Sequence, residues 1–263
     1  VSHTFINADF PLYEGDKVPH LRIAEGEVAP YVLLPGDPGR VDLIQSHFDD
    51  YRIVGSNREF KVGTGLYEGN SISVCSTGIG GPSTEIAVLE LLQLKAKYLL
   101  RIGGTAAIQE GIECGDFIIN TGSVRMGGSS NHYARPEYPA VANYEIVQAL
   151  VESCEELGFA YHLGIGATTS SFYHAQGRPV NSLNYSAGII EEMKALNVLN
   201  LEMESETILT LASVMGAYAG TLCVVHCNRI TNQWLVDYEE SQLNLCKVAL
   251  HAINKIILKK GDV

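Results

Sequence analysis

The ten residues Tyr98–Ala107, reading Y-L-L-R-I-G-G-T-A-A, restrict the fold more than any other stretch of the chain. Their apolar start reads as a buried strand, and a lone arginine within it calls for an anionic partner, because a buried unpaired charge is costly. Gly103 and Gly104 are expected to break the strand and leave Arg101 at its carboxyl edge. In open α/β sheets ligands bind at that edge, in the crevice between strand ends and helix starts. The segment therefore predicts an α/β domain with a site for an anion.

The rest of the chain repeats this pattern. Residues 31–34 are a short apolar run that stops at P-G-D-P-G-R (35–40) and is followed by helix-like V-D-L-I. Strand, glycine turn and helix start together bring backbone N–H groups and Arg40 to where an anion could sit, although Pro-Gly-Asp-Pro is equally a plain turn. A hairpin through residues 67–70 leads into a strand over 72–76, which ends in T-G-I-G-G-P-S-T (77–84). Pro82 suits a first helical turn, Glu85 complements the helix dipole, and Ile86, Leu89 and Leu92 form a packing face. Further strands are expected over 116–121, 163–170, 198–201 and 219–227, with helices over 145–157, 205–215 and about 240–258. Each strand after the first ends in polar or glycine residues, an order that builds one composite site. Residues 1–19, with Pro11, Gly15 and Pro19, are expected to form an irregular arm, and residues 20–263 a single domain.

A net charge of −12 argues against a nucleic-acid partner, so any bound anion should be small and met by local arginines. The apolar runs are far short of a membrane span and the start of the chain has no signal-like pattern, which predicts a cytoplasmic protein. Six scattered cysteines read as reduced core thiols. Cys223, His226 and Cys227 are the one close cluster, but strand alternation would point His226 away from both sulfurs, so no metal site is expected there.

Arg40, Arg58 and Arg101 each sit beside glycine or turn signals, and bidentate guanidinium contacts suit a phosphate dianion. Phe172, Gln176 and Arg178 share one loop and offer a stacking face, an amide that donates and accepts, and a fixed cation. That set suits a planar heterocycle with carbonyl oxygens. Glu202 and Glu204 flank Met203 at a strand-to-helix junction, where a carboxylate can accept from sugar hydroxyls and the methionine can pack on the ring. Each feature alone also has a plainer reading: a structural salt bridge, a surface loop, an acidic helix N-terminus. Their joint occurrence at successive strand ends favours a site.

These residues resemble the nucleoside phosphorylase superfamily, and within it the uridine phosphorylases. The matching segments are P-G-D-P-G-R (35–40), N-R-E-F (57–60), C-S-T-G-I-G-G-P-S (75–83), L-R-I-G (100–103), F-Y-x-x-Q-x-R (172–178), E-M-E-S (202–205) and N-R (228–229). G-D-P-G-R-V-D and Trp234 also resemble parasite purine nucleoside phosphorylases. The resemblance implies a single-domain α/β fold with a central mixed, partly barrel-like β-sheet flanked by helices. It also implies attack of inorganic phosphate, as co-substrate, on the anomeric carbon of a nucleoside, with no cofactor required. By position, Gly36, Arg40, Arg101 and Gly104 would meet phosphate, with Arg58 reaching in from a neighbouring subunit. Met203 and Glu204 would hold ribose, helped by His20 of the neighbour. Phe172, Gln176, Arg178, Glu202 and Arg229 would surround the base, and Arg101, Gln176, Arg178 and Glu204 would carry catalysis. Glu59, Ile79 and Ser83 match positions that bind a structural potassium ion at a dimer interface. Sites shared in this way require a homodimer or a hexamer built from dimers.

Purine-specific relatives place an aspartate near the last strand, where this chain has His226, Cys227 and Asn228, which favours a pyrimidine. Uridine phosphorylases usually carry threonine directly after R-I-G, where this chain has Gly104 followed by Thr105. A lost hydrogen bond to a charged ligand is worth about 1.5–3 kcal/mol. The leading expectation is phosphate-dependent cleavage of uridine. The alternatives are a purine nucleoside phosphorylase, a nucleosidase that uses water, and a non-catalytic nucleoside-binding protein.

Overall fold

The computed structural model describes residues 3–182 and 188–261. Residues 1 and 2 of the expected arm, and 262 and 263 of the expected domain, lie outside the described residues. At the centre is β5 (Tyr98–Ala107), parallel to β1 (Tyr31–Pro35) on one side and to β10 (Tyr218–Asn228) on the other. Its register is marked at one end by Tyr31, Tyr98 and Tyr218, which pair across the three strands and stack with centroids 4.7 and 4.8 Å apart. Stacked cross-strand aromatics favour one register over its neighbours.

From β10 the sheet continues to β6 (Phe117–Met126), then β8 (Tyr161–Thr169), then β9 (Asn200–Glu202), which returns to β5. These five strands close a small barrel. β4 (Asn70–Cys75), β3 (Phe60–Tyr67) and β2 (Asp50–Asn57) extend the sheet beyond β1 in that order. The mixed, partly barrel-like sheet read from the resemblance is the one observed.

Helices cover both faces. α3 (Tyr144–Leu157) and α6 (Glu239–Lys260) pack Ile146, Leu150, Leu245 and Ala249 against one core cluster. α2 (Gly81–Gln93) and α5 (Ser205–Val214) pack Val88, Leu91, Ile208 and Leu211 into another. Most of residues 3–17 are exposed, while Val18, within the expected arm, and Leu21 and Ile23 after it are buried. The start of α3 is fixed by Asn143, whose side chain accepts from the N–H groups of Glu145 (3.0 Å) and Ile146 (3.3 Å). Its end is fixed by Gly158 in the left-handed region, φ 74°.

One expectation is overturned. β5 does not break at Gly103-Gly104 but runs through both to Ala107, so Arg101 lies within the strand rather than at its carboxyl edge. The glycines make room for neighbouring side chains. A Cβ at Gly103 would come within 2.7–3.0 Å of the Arg101 guanidinium, and one at Gly104 within 2.4 Å of the His226 ring.

Asn143→Ala should remove the α3 cap and lower the unfolding free energy by about 0.5–2 kcal/mol, with Asn143→Asp retaining most of it. Equilibrium urea denaturation checks this, and equal losses in both variants would contradict the capping role.

Candidate active site

A cavity of about 610 Å³ opens where β5, β9 and β10 meet the loops that follow β1, β4 and β8. At one end stands α1 (Pro38–Leu43), begun by the side chain of Asp37 accepting the Gly39 N–H at 2.8 Å. The helix carries Arg40 under the cavity, and Nη1 of this residue donates to the Ile102 carbonyl at 3.0 Å. Burial pulls the Arg40 pKa down, and the nearby Arg101 charge adds to the effect. The backbone of Thr77 and Gly78 donates to Pro35 and Gly36 at 2.9 and 3.0 Å, joining the two glycine loops.

The centre is a buried ion cluster. Arg101 Nε meets Glu202 Oε2 at 2.8 Å and its Nη2 meets Glu204 Oε2 at 2.6 Å. Glu204 Oε1 accepts the Gly80 N–H at 2.6 Å. Glu202 Oε2 also accepts the N–H groups of Glu204 and Ser205, each at 2.9 Å, and Oε1 accepts from the Thr168 hydroxyl. Glu202 thus lines the cavity while serving as the N-terminal anchor of α5, and both of its oxygens are engaged. Burial opposes the Arg101 charge, but Glu204 and then Glu202 outweigh it and hold the guanidinium above its ordinary pKa range. Burial likewise pushes the Glu204 carboxyl up, against the pull of Arg101.

The other end is the loop after β8. Arg178 lies 3.8 Å over the Phe172 ring, and its Nη1 donates to the Phe172 carbonyl at 2.6 Å and to Gln176 Oε1 at 2.7 Å. Gln176, nearly buried, donates through Nε2 to Thr169 Oγ1 at 3.1 Å. Arg229 is not in the cavity wall. It fixes the loop from behind, Nη1 donating to the Gln176 carbonyl at 2.7 Å. Met203 lies between the two ends, and Glu59, Ile79 and Ser83 line the rim, where Ser83 Oγ donates to the Ile79 carbonyl at 3.2 Å.

Two predicted residues stay outside the cavity of their own chain. His20 Nδ1 contacts Glu90 on α2 at 2.6 Å, and Arg58 is exposed at the turn between β2 and β3 with φ 55°. Among the described residues no group of three or more His, Cys, Asp or Glu is arranged to hold a metal, and no helix is long and apolar enough to cross a membrane.

The structure also brings in residues that were given no place in the site. His226, Cys227 and Trp234 line the cavity. The pairing of β10 with β5 slips by one residue between Val225 and Cys227, and this bulge directs the His226 ring over Gly104. A bulge leaves no periodic trace in sequence. Burial, with the Arg40 charge added, brings the His226 pKa down to about 4. Thr105 offers no replacement for a hydroxyl at 104, since its Oγ1 donates to the Leu201 carbonyl at 2.9 Å and accepts from Asn200 Nδ2 at 2.8 Å.

The sequence matches a family described as the phosphorylase superfamily over residues 30–259. It is similar to the uridine phosphorylase of Thermococcus kodakarensis, 47% identical over 233 residues that cover 88% of this chain and 84% of that protein. The uridine phosphorylase of Escherichia coli is 38% identical over 247 residues, covering 90% of this chain and 97% of that one. A guanosine phosphorylase of Halorubrum lacusprofundi is 37% identical over 225 residues, covering 85% and 89%.

Because the folded chain holds His226 neutral, the unfolded chain binds more protons between the ordinary value of 6.5 and about 4. The stability this contributes is complete above that window and is lost as pH falls through it. In phosphate-free buffer, acidification across this range should cost the protein up to about 3 kcal/mol more than it costs His226→Gln. Parallel pH–stability curves for the two proteins would contradict this.

Proposed function

The chain belongs to the phosphorylase superfamily, and from that membership and the cavity's geometry we propose that it is a phosphate-dependent uridine phosphorylase. A phosphate oxygen forms a bond to the anomeric carbon as the carbon–nitrogen bond breaks, the electron pair departs with uracil, and ribose 1-phosphate is left. The observation that carries this reading is the order of groups in one cavity: Arg40, then the Arg101 cluster, then Gln176 with Arg178.

In this reading Gly36, Arg40 and Arg101 hold phosphate. Arg101 has Nε and Nη2 committed to carboxylates, which leaves Nη1 for the anion. Met203 packs on ribose and Glu204 accepts from its hydroxyls. As the sugar gains oxocarbenium character, the phosphate dianion and the Glu204 carboxylate stabilise the positive charge. Uracil gains negative charge as it leaves, and Arg178 with Gln176 meets it while Phe172 stacks on its ring. Arg229 positions that loop through its backbone carbonyl contact.

A second copy completes the site. His20 and Arg58 face away from their own cavity, so their roles toward ribose and phosphate need a homodimer, or a hexamer of dimers. Glu59, Ile79 and Ser83 are oxygen donors grouped beside Gly78, whose Cβ position lies 2.7 Å from Glu59 Cγ and 3.0 Å from Ser83 Oγ. Three such donors from each of two copies fit a hard monovalent cation such as potassium, which would tie the dimer together. The six free cysteines, none in a disulfide, suit the cytoplasm.

A pyrimidine is favoured because the end of β10 carries no aspartate, and Asn228 is engaged with the Gln109 and Ile112 carbonyls at 3.0 and 2.8 Å. The test is a panel of uridine, deoxyuridine, thymidine, inosine and guanosine assayed with and without phosphate. Uracil release from uridine should require phosphate and yield ribose 1-phosphate. Equal release without phosphate would make the protein a nucleosidase, and faster cleavage of inosine or guanosine would make it a purine enzyme. Arg178→Ala should cut uridine turnover by about a hundredfold or more, as loss of a transition-state donor does, with little change in phosphate binding. Comparable losses in both would undo its assignment to the base.

A further inference from the structure

His226 is a cavity residue that the family motifs leave without a task. It is the extra residue of the β10 bulge, since Val225 pairs with Thr105 and Cys227 with Ala106. Its imidazole fills the space that a side chain at residue 104 would take, for a Cβ there would fall 2.4 Å from both Nδ1 and Cε1. Glycine at 104 and histidine at 226 therefore require each other.

The ring is held from behind. Its Nε2 lies 2.5 Å from Nε2 of Gln242 on α6, and the ring leans on Tyr238 with centroids 5.0 Å apart. Gln242 is buried, and its Oε1 has no hydrogen-bond partner among the described residues. In the amide orientation of this structure its N–H points at the imidazole Nε2, which places the lone pair there and the ring proton on Nδ1. Among the described residues no hydrogen bond engages Nδ1. That atom stands over Gly104, in a cavity that Arg40 and Arg101 also line, and the Arg40 charge is felt at the ring.

We propose that His226 is a phosphate-binding residue, its Nδ1–H donating to an oxygen of the attacking phosphate beside Arg40, in the place a hydroxyl at residue 104 would occupy. Thr105, with its hydroxyl engaged on both sides, is not the substitute. A neutral N–H can orient the dianion without setting a third cation next to Arg40 and Arg101. Gln242 is then a positioning residue, acting through the imidazole it holds.

This inference rests on the phosphorolysis reading, and the experiment separates the two. Phosphate binding is measured by calorimetry, and phosphate and uridine KM by initial rates, for the full-length protein and its variants. His226→Ala should weaken phosphate KM and Kd by about tenfold to a hundredfold, the range for losing one hydrogen bond to an anion. Uridine KM should stay close to that of the unmodified protein. Gly104→Thr alone should impair the protein by driving Cβ into the ring, whereas Gly104→Thr with His226→Ala should recover much of the lost phosphate affinity. Unchanged phosphate Kd in His226→Ala, or a rise confined to uridine KM, would overturn the proposal. If His226→Ala does not fold, His226→Leu, which fills the space but has no donor, takes its place with the same criteria. Unmodified protein that binds phosphate but leaves uridine intact would sink the phosphorolysis reading and leave His226 to be judged on the isotherms. Failure to bind phosphate at all would overturn both.

Discussion

Arg101 puts a guanidinium into the middle of the central strand, 3% exposed, where its charge is tolerable only because two carboxylates come to it. Those carboxylates arrive from the end of β9 and the N-cap position of α5, so the ion cluster ties the barrel closure to the helix that follows. Breaking a buried pair of this kind by removing one partner typically costs about 3–5 kcal/mol. The backbone adapts to the same need. Gly103 carries no Cβ because the Arg101 guanidinium turns back over it, and the Glu202 carboxylate both receives Arg101 and anchors the N-terminus of α5. A structural salt bridge and a ligand site are usually competing readings of an arginine in a strand. In the proposed function one residue serves both, since Arg101 lines the cavity and its Nη1 is in neither carboxylate pair.

A second adaptation sits one residue further along β5. The bulge in β10 turns His226 out of the alternation, Gly104 vacates the space, and Gln242 on α6 secures the ring. These three positions lie on three different elements, with Gly104 more than a hundred residues before the other two. A substitution at any one of them would strand the others, which explains how the threonine usual in the resembling family can be absent without leaving a void.

The alternation of apolar runs with glycine-rich stops was enough to read the α/β class, most elements and the strand-end residues Arg40, Gln176, Arg178 and Glu204. Strand periodicity and turn residues are local properties, and local sequence carries them. Two things escaped it for the same physical reason. Gly103 and Gly104 read as a strand break because glycine is a breaker in isolation, yet here each answers to a side chain packed over it. Alternation set His226 opposite Cys223 and Cys227 but gave no sign that it enters the cavity, because alternation has no term for a bulge. Both are set by pairing between β5 and β10, more than a hundred residues apart, and no window along the chain contains them. Arg229 was legible as part of the N-R segment of the resemblance and was expected at the base, but not as what it is here, a clamp on the backbone behind Gln176.

The way each arginine is anchored divides the cavity electrically. Arg40, Arg178 and Arg229 are held by the backbone carbonyls of Ile102, Phe172 and Gln176, neutral acceptors that fix direction and leave the positive charge uncancelled. Arg101 is held by two carboxylates, so its surroundings are net negative unless a proton is shared. Two positive ends thus flank a centre that is neutral or negative. In the proposed reaction the ends meet phosphate, which also reaches Nη1 of Arg101, and the departing base, while the carboxylates of the centre meet a sugar that turns cationic as the bond breaks. Anchoring by carbonyl or by carboxylate is therefore enough to order the three charges of the transition state along one cavity, before any substrate enters and with little reorganisation when it does.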